Sequence, residues 1–166
     1  MSNKEALIRE LEETLERYIQ LVNSIPESKY NLSTANPDWN VGDMLYHITL
    51  GPPTLAFESW LIANARGFFQ FVLDYAPASL LERFNGLYAR RGKQITPRSL
   101  IQAYEAGHAR ILRRLKRTPD ADLSITMIYP PEFVTMLSGE VSLERLFCYV
   151  KKHYEDHVQE LPAEVK

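Results

Sequence analysis

The residues of this 166-residue chain with the clearest capacity for chemistry are its four histidines. His153 and His157 stand four apart, so on a helix both imidazoles leave one face, one turn from each other. Both also fall on an apolar stripe, where an unsatisfied polar group costs about 1–3 kcal/mol, and one metal ion would satisfy both rings. The alternative is a pair that hydrogen-bonds to neighbouring helices or meets water at the edge of the stripe.

A histidine pair needs a third ligand, because catalytic zinc sites commonly use three protein ligands and leave one position for water or substrate. His47 and His108 are the remaining candidates. His108 shares a helical face with apolar residues, whereas His47 lies at the edge of its stripe, so periodicity alone slightly favours His108. Tyr154 follows His153, where the zinc-protease motif needs glutamate, which excludes that chemistry.

Two amphipathic elements in the first half of the chain must position His47. Apolar residues at spacings of three and four predict a helix over roughly 4–24. Asn40, a good N-cap, begins a second helix. The Gly-Pro-Pro sequence at 51–53 interrupts that helix before the pattern resumes over 55–65, so we expect one long element that is kinked or broken at the prolines.

The second half of the chain supplies the remaining helices. A shorter amphipathic piece falls within 67–95, and a threonine followed by proline begins a third long helix over about 96–116. The Pro-rich segment 118–141 is predicted to be a long functional loop or lid, and the last helix to run over about 142–161. With no convincing alternating strand pattern, the chain is predicted to be one all-α domain over 1–166, a four-helix bundle with a long loop before the last helix.

Composition narrows the possible functions. Nineteen basic and 21 acidic side chains leave a net charge of −2, without the positive surplus that nucleic acids and anionic membranes attract. The single cysteine, Cys148, has no partner for an internal disulfide, and the charged N-terminal segment lacks the apolar core of a signal peptide, so a cytoplasmic protein without a membrane helix is expected. A chain of this size can build its core without a metal, so any metal needs a functional reason.

One sequence stretch is similar to a known family. The segment 39–48, Trp-Asn-Val-Gly-Asp-Met-Leu-Tyr-His-Ile, resembles the tryptophan-started second helix of the DinB/YfiT-like superfamily, in which a histidine about two turns on binds metal. The closing pair, His153 and His157, matches the family's last-helix motif, and Arg-Phe-Asn at 83–85 fits its element order. The resemblance implies a four-helix bundle, often dimeric, with a divalent ion held by His47, His153 and His157.

The resemblance also implies a function. Characterised relatives include transferases and isomerases that work with low-molecular-weight thiols, so we expect a metal-dependent enzyme, a thiol-dependent S-transferase or isomerase, that uses zinc or nickel or else iron. The partners expected are a small-molecule substrate, for which a low-molecular-weight thiol is a candidate, and a second copy of the chain in a homodimer. The alternative is a non-catalytic, metal-stabilised bundle that binds a small ligand. Asp43, four residues before His47, is a candidate hydrogen-bond acceptor for its ring, and His108 is a weaker candidate for a proton carrier.

Overall fold

The computed structural model of the chain describes residues 3–75, 95–131 and 137–165. Its main elements are the helices α1 (Asn3–Ser24), α2 (Val41–Asn64), α3 (Arg66–Tyr75), α4 (Pro97–Arg117) and α5 (Leu143–Gln159). The four long helices form the bundle, because α1 and α2 each pack against both α4 and α5. The predicted four-helix bundle is confirmed. An amphipathic piece was predicted within 67–95. Its part beyond Tyr75, which includes the Arg-Phe-Asn stretch, lies outside the described residues.

The helix beginnings follow the local sequence signals. The Asn40 side chain accepts the backbone N–H of Asp43 at 2.8 Å, and the Asp43 carboxylate accepts the N–H of Asn40 at 3.2 Å. This reciprocal capping box fixes the start of α2. Thr96 caps α4 in the same way, with proline next to it at the first helical position. α2 then continues through Pro52 and Pro53, so the one long element that was predicted is a single helix that is not broken at the prolines.

The long segment predicted before the last helix contains a short β-hairpin that the sequence pattern did not predict. A 3-10 turn at Asp120–Ser124 is followed by β1 (Thr126–Tyr129), which pairs antiparallel with β2 (Gly139–Ser142). Within β1, Met127 and Tyr129 are buried and Ile128 is exposed, the alternation typical of a strand with one face on a core. Each strand has only four residues, which is too short for the alternation to stand out in the sequence.

The core has two parts, one toward each end of the four long helices. One cluster of buried side chains lies where α2, α3, α4 and α5 meet the hairpin, and a second lies where α1, α2, α4 and α5 meet. In the second cluster the Tyr18 hydroxyl donates to the Leu45 carbonyl at 2.9 Å, which joins α1 to α2. Apolar packing therefore holds the long helices together. Among the described helices, none has the length and apolar character needed to cross a membrane.

A half-buried carboxyl joins α2 to the hairpin and is expected to make stability depend on pH. The Tyr129 hydroxyl donates to Glu58 Oε2 at 2.8 Å, and burial raises the pKa of Glu58 to about 7, against an ordinary value of 4.5. Because the folded carboxyl holds its proton more tightly than the unfolded one, the free energy of unfolding falls as the pH rises from about 4.5 to about 7.

Replacement of this carboxyl is expected to remove that pH dependence. Near pH 8, where Glu58 is ionised, the free energy of unfolding of Glu58→Gln should exceed that of the wild type by roughly 2 kcal/mol. Near pH 4, where Glu58 is mostly protonated in the folded and the unfolded state, the two proteins should be nearly equal in stability. Urea unfolding at the two pH values measures the difference. Glu16→Gln, on the exposed face of α1, is the control and should match the wild type at both. Parallel wild-type and Glu58→Gln curves would contradict the assignment.

Candidate metal centre

Three histidines from two helices converge between α2 and α5. His47 comes from α2, and His153 and His157 come from adjacent turns of α5. The Nε2 atoms of His47 and His153 are 3.3 Å apart, and one ring nitrogen from each of the three residues lies within 4.8 Å of the others. His47 and His153 are each 9% exposed. The structure therefore brings together the three histidines to which the family resemblance pointed.

The fourth histidine lies elsewhere. His108 of α4 is fully buried, its Nδ1 is 3.3 Å from the Tyr104 carbonyl, and its ring packs on the Tyr104 ring with centroids 4.2 Å apart. The helix face that made His108 attractive as a ligand therefore places it in a tyrosine-lined part of the core. Periodicity, which slightly favoured His108 over His47, points to the wrong residue for this cluster.

Burial keeps the three rings neutral. It lowers the pKa of His47 to about 3, with the nearby charge of His157 as a smaller cause, and lowers the pKa of His153 well below 6.5. The pKa of His157 is lowered as well, mainly by burial and against the opposing effect of Glu160. Neutral imidazoles have a free ring-nitrogen lone pair, the form in which histidine binds metal.

The arrangement fits a transition-metal ion. Two imidazole nitrogens on a tetrahedral zinc ion, each at 2.0–2.1 Å from it, would be about 3.3–3.4 Å apart. The distance between the Nε2 atoms of His47 and His153 is 3.3 Å. A set of three neutral nitrogens suits zinc, nickel and iron alike, so the donors do not select among them.

The acceptor predicted for His47 is not in place. The carboxylate of Asp43 accepts the backbone N–H of Asn40, and Nδ1 of His47 has no hydrogen-bond partner among the described residues. The capping box holds the carboxylate at the helix start, which is why it does not turn toward the next helical turn. A different carboxylate flanks the cluster: Glu160 Oε1 lies 3.4 Å from Nδ1 of His157. Glu160 was not predicted, although its position three residues after His157 was the available signal.

Aromatic rings flank the cluster. The Trp39 ring lies 4.4 Å from the His47 ring and 6.2 Å from the His157 ring, centroid to centroid. The loop before Trp39 is tied to the end of α5, because the Ala35 N–H donates to the Glu160 carbonyl at 2.9 Å. The ring of Tyr149 lies 6.0 Å from that of His153. These rings give the three histidines an apolar border.

The sequence was also compared with protein families. A family model described as the DinB superfamily matches residues 10–161, which include all three clustered histidines. The chain belongs to the DinB superfamily. A search of curated proteins finds no match.

A solved structure shares the DinB fold of this chain. It is the crystal structure of a mutant of mycothiol-dependent maleylpyruvate isomerase, which superposes with a TM-score of 0.70 over 96% of this chain at 11% sequence identity. The match covers 61% of the isomerase chain, so this protein spans about three fifths of the length of that enzyme. At such low identity the likeness shows the fold.

Proposed function

We propose that this DinB-superfamily protein is a metal-dependent enzyme that binds one divalent ion through His47, His153 and His157. Zinc and nickel are proposed first and iron next, a ranking that rests on the family resemblance because the three nitrogen donors do not select among these ions. The observation that carries the proposal is the convergence of three neutral imidazoles, two buried and one half-buried, from two helices, with Nε2 atoms of two of them 3.3 Å apart. Since the core is held by apolar packing, such an ion is not needed to complete the fold, and this favours chemistry over a purely structural role.

We propose further that the co-substrate is a low-molecular-weight thiol and that the reaction is an isomerisation or S-transfer. The name of the structural neighbour, a mycothiol-dependent isomerase, supports this choice. When bound, the ion supplies positive charge that stabilises a thiolate or polarises a substrate oxygen at neutral pH. The three neutral imidazoles leave that charge uncancelled. Trp39 and Tyr149 border the histidine rings and limit the access of water.

Thiol-dependent turnover tests the function. The zinc- or nickel-loaded protein is mixed with cysteine or glutathione and either maleylpyruvate or an activated aryl halide, and product is followed by absorbance. His157→Ala should lose both metal and turnover. His108→Gln should retain the metal, and it should retain turnover as well unless His108 carries a proton in the reaction. Equal rates for the wild type and His157→Ala would remove the support for an enzyme. A sharp fall in melting temperature on chelation would favour the metal-stabilised bundle instead.

We also propose that the chain forms a homodimer. Large aromatic side chains are exposed along the second half of α2 and along α3, and a second copy would bury them. They are Phe57, Trp60, Phe68, Phe71 and Tyr75. Phe57 stacks on Trp60, and Phe71 contacts Tyr75. Groups of exposed apolar side chains are typical of protein interfaces.

A further inference from the structure

A glycine of α2 lies against one of the clustered histidines of α5. Gly51 lies one turn after His47 on α2 and faces the imidazole of His153 on α5. A Cβ atom placed on Gly51 would lie 2.8 Å from Nδ1 and 3.1 Å from Cε1 of His153. Real Cβ atoms essentially never approach another heavy atom within 3.0 Å, so a side chain at this position would collide with the ring. The face of α2 that carries one histidine of the cluster therefore also leaves room for a second.

The His153 ring has little space in which to withdraw. Its Nε2 is 3.3 Å from Nε2 of His47, and its centroid lies 4.6 Å from that of His157 and 6.0 Å from that of Tyr149. The atoms that would meet the new Cβ are on the rigid ring, not at the end of a flexible chain. A methyl group at residue 51 would therefore have to rotate the ring or push α5 away from α2, and either movement changes the position of Nε2.

We propose that Gly51 is a positioning residue for the metal site. Its bare Cα lets α2 and α5 approach closely enough for His47 and His153 to bind the same ion. The glycine of the Gly-Pro-Pro sequence thus accommodates one histidine ring while the helix continues through both prolines. This inference rests on the proposed metal-binding function, and its test separates the two.

A matched control exists on α4. A Cβ placed on Gly107 would lie 2.8 Å from Cδ of Pro53, an equally severe clash at the contact between α2 and α4 and not against a clustered histidine. Gly67, on α3, has no heavy atom within 4 Å of its Cβ position and serves as the open control. Gly107→Ala therefore measures the effect of a steric clash elsewhere in the bundle, and Gly67→Ala measures the effect of replacing glycine by alanine without a clash.

The first experiment tests the contact without metal. In a double-mutant cycle on the metal-free protein, Gly51→Ala should lower the melting temperature in the wild type but not in the His153→Ala background, where the ring is missing. Gly107→Ala should lower it equally in both backgrounds. If Gly51→Ala has the same effect in both backgrounds, the contact with His153 does not constrain this position and the proposal is overturned.

The second experiment tests the consequence for ligand geometry. Cobalt(II) is bound to each variant, its visible absorption spectrum is recorded, and its affinity is measured by competition with a chelator. Gly51→Ala should shift the spectrum and weaken binding at least about tenfold, comparable to losing a residue that orients a ligand. Gly107→Ala and Gly67→Ala should keep the wild-type spectrum.

The outcomes separate the two proposals. A wild-type spectrum and affinity in Gly51→Ala would overturn the positioning role while leaving metal binding intact. A wild-type protein that binds no cobalt, zinc or nickel, together with a non-additive cycle, would overturn the proposed function and the ligand-positioning role, and would leave Gly51 as a packing residue only. If Gly107→Ala shifted the spectrum as much as Gly51→Ala, general loosening of the bundle would explain both.

Discussion

Replacement of His153 by alanine is expected to remove the bound metal and leave the bundle folded. His153 contacts both other members of the cluster, since its Nε2 is 3.3 Å from that of His47 and its ring lies 4.6 Å from that of His157. Without it, two imidazoles remain, which is one fewer than the three protein ligands common in catalytic zinc sites. The fold should persist because the two buried clusters of the core consist of apolar and tyrosine side chains. The cavity left by the imidazole should lower the free energy of unfolding by only a few kcal/mol.

Elemental analysis and circular dichroism together measure this result. The metal-to-chain ratio should fall from about one to near zero, while the far-ultraviolet spectrum stays helical. His108→Ala is the matched control, because it makes the same substitution at a buried histidine outside the cluster and should keep the metal. Full metal content in His153→Ala would show that the cluster is not the site. Loss of helicity in His153→Ala, but not in His108→Ala, would mean that the cluster is structural.

The helices could be predicted from the sequence because their signals are local. Asn40, Thr96 and Ser142 cap the helices that follow them through hydrogen bonds to residues three positions on, so both partners are visible in a short stretch of sequence. The hairpin could not be predicted in the same way. Its strands have four residues each, and each pairs with a strand that is separated from it in the sequence. The burial of Tyr129 also depends on tertiary contacts, such as that with Glu58 on α2.

In the candidate site, too, local relations could be predicted from the sequence and contacts between helices could not. The convergence of His153 and His157 follows from helical spacing, but the choice between His47 and His108 does not, since both are buried and the outcome depends on how each helix is rotated against its neighbours. The wrong expectation for Asp43 has a local cause, because the helix start competes for its carboxylate. Gly51 makes its decisive contact between helices more than one hundred residues apart in sequence, which no spacing rule encodes.

Removal of the carboxylate next to His157 is expected to weaken metal binding while the three histidines remain. Metal-bound histidines usually donate their second ring N–H to an acceptor that fixes the ring, and loss of that acceptor typically costs about 10–100-fold in affinity. Glu160 is the candidate for this role, because its Oε1 lies 3.4 Å from Nδ1 of His157, although the two atoms do not form a hydrogen bond in the structure. Glu160→Ala should therefore bind zinc about 10–100-fold more weakly than the wild type, and Glu160→Gln, which keeps an oxygen acceptor, should fall between them.

Competition with a chromophoric zinc chelator measures this loss, and a second glutamate on α5 provides the control. Glu155 precedes His157 by two residues, and its carboxylate pairs with Arg17 of α1 at 3.3 Å instead of facing the cluster. Glu155→Ala removes the same charge from the same end of the helix, so it measures the long-range electrostatic effect of that charge on zinc affinity. This effect should be small at physiological salt, because interactions between charges separated by more than about 8 Å are screened. Equal affinities for Glu160→Ala and Glu155→Ala would mean that charge, and not the orientation of the His157 ring, is what Glu160 contributes.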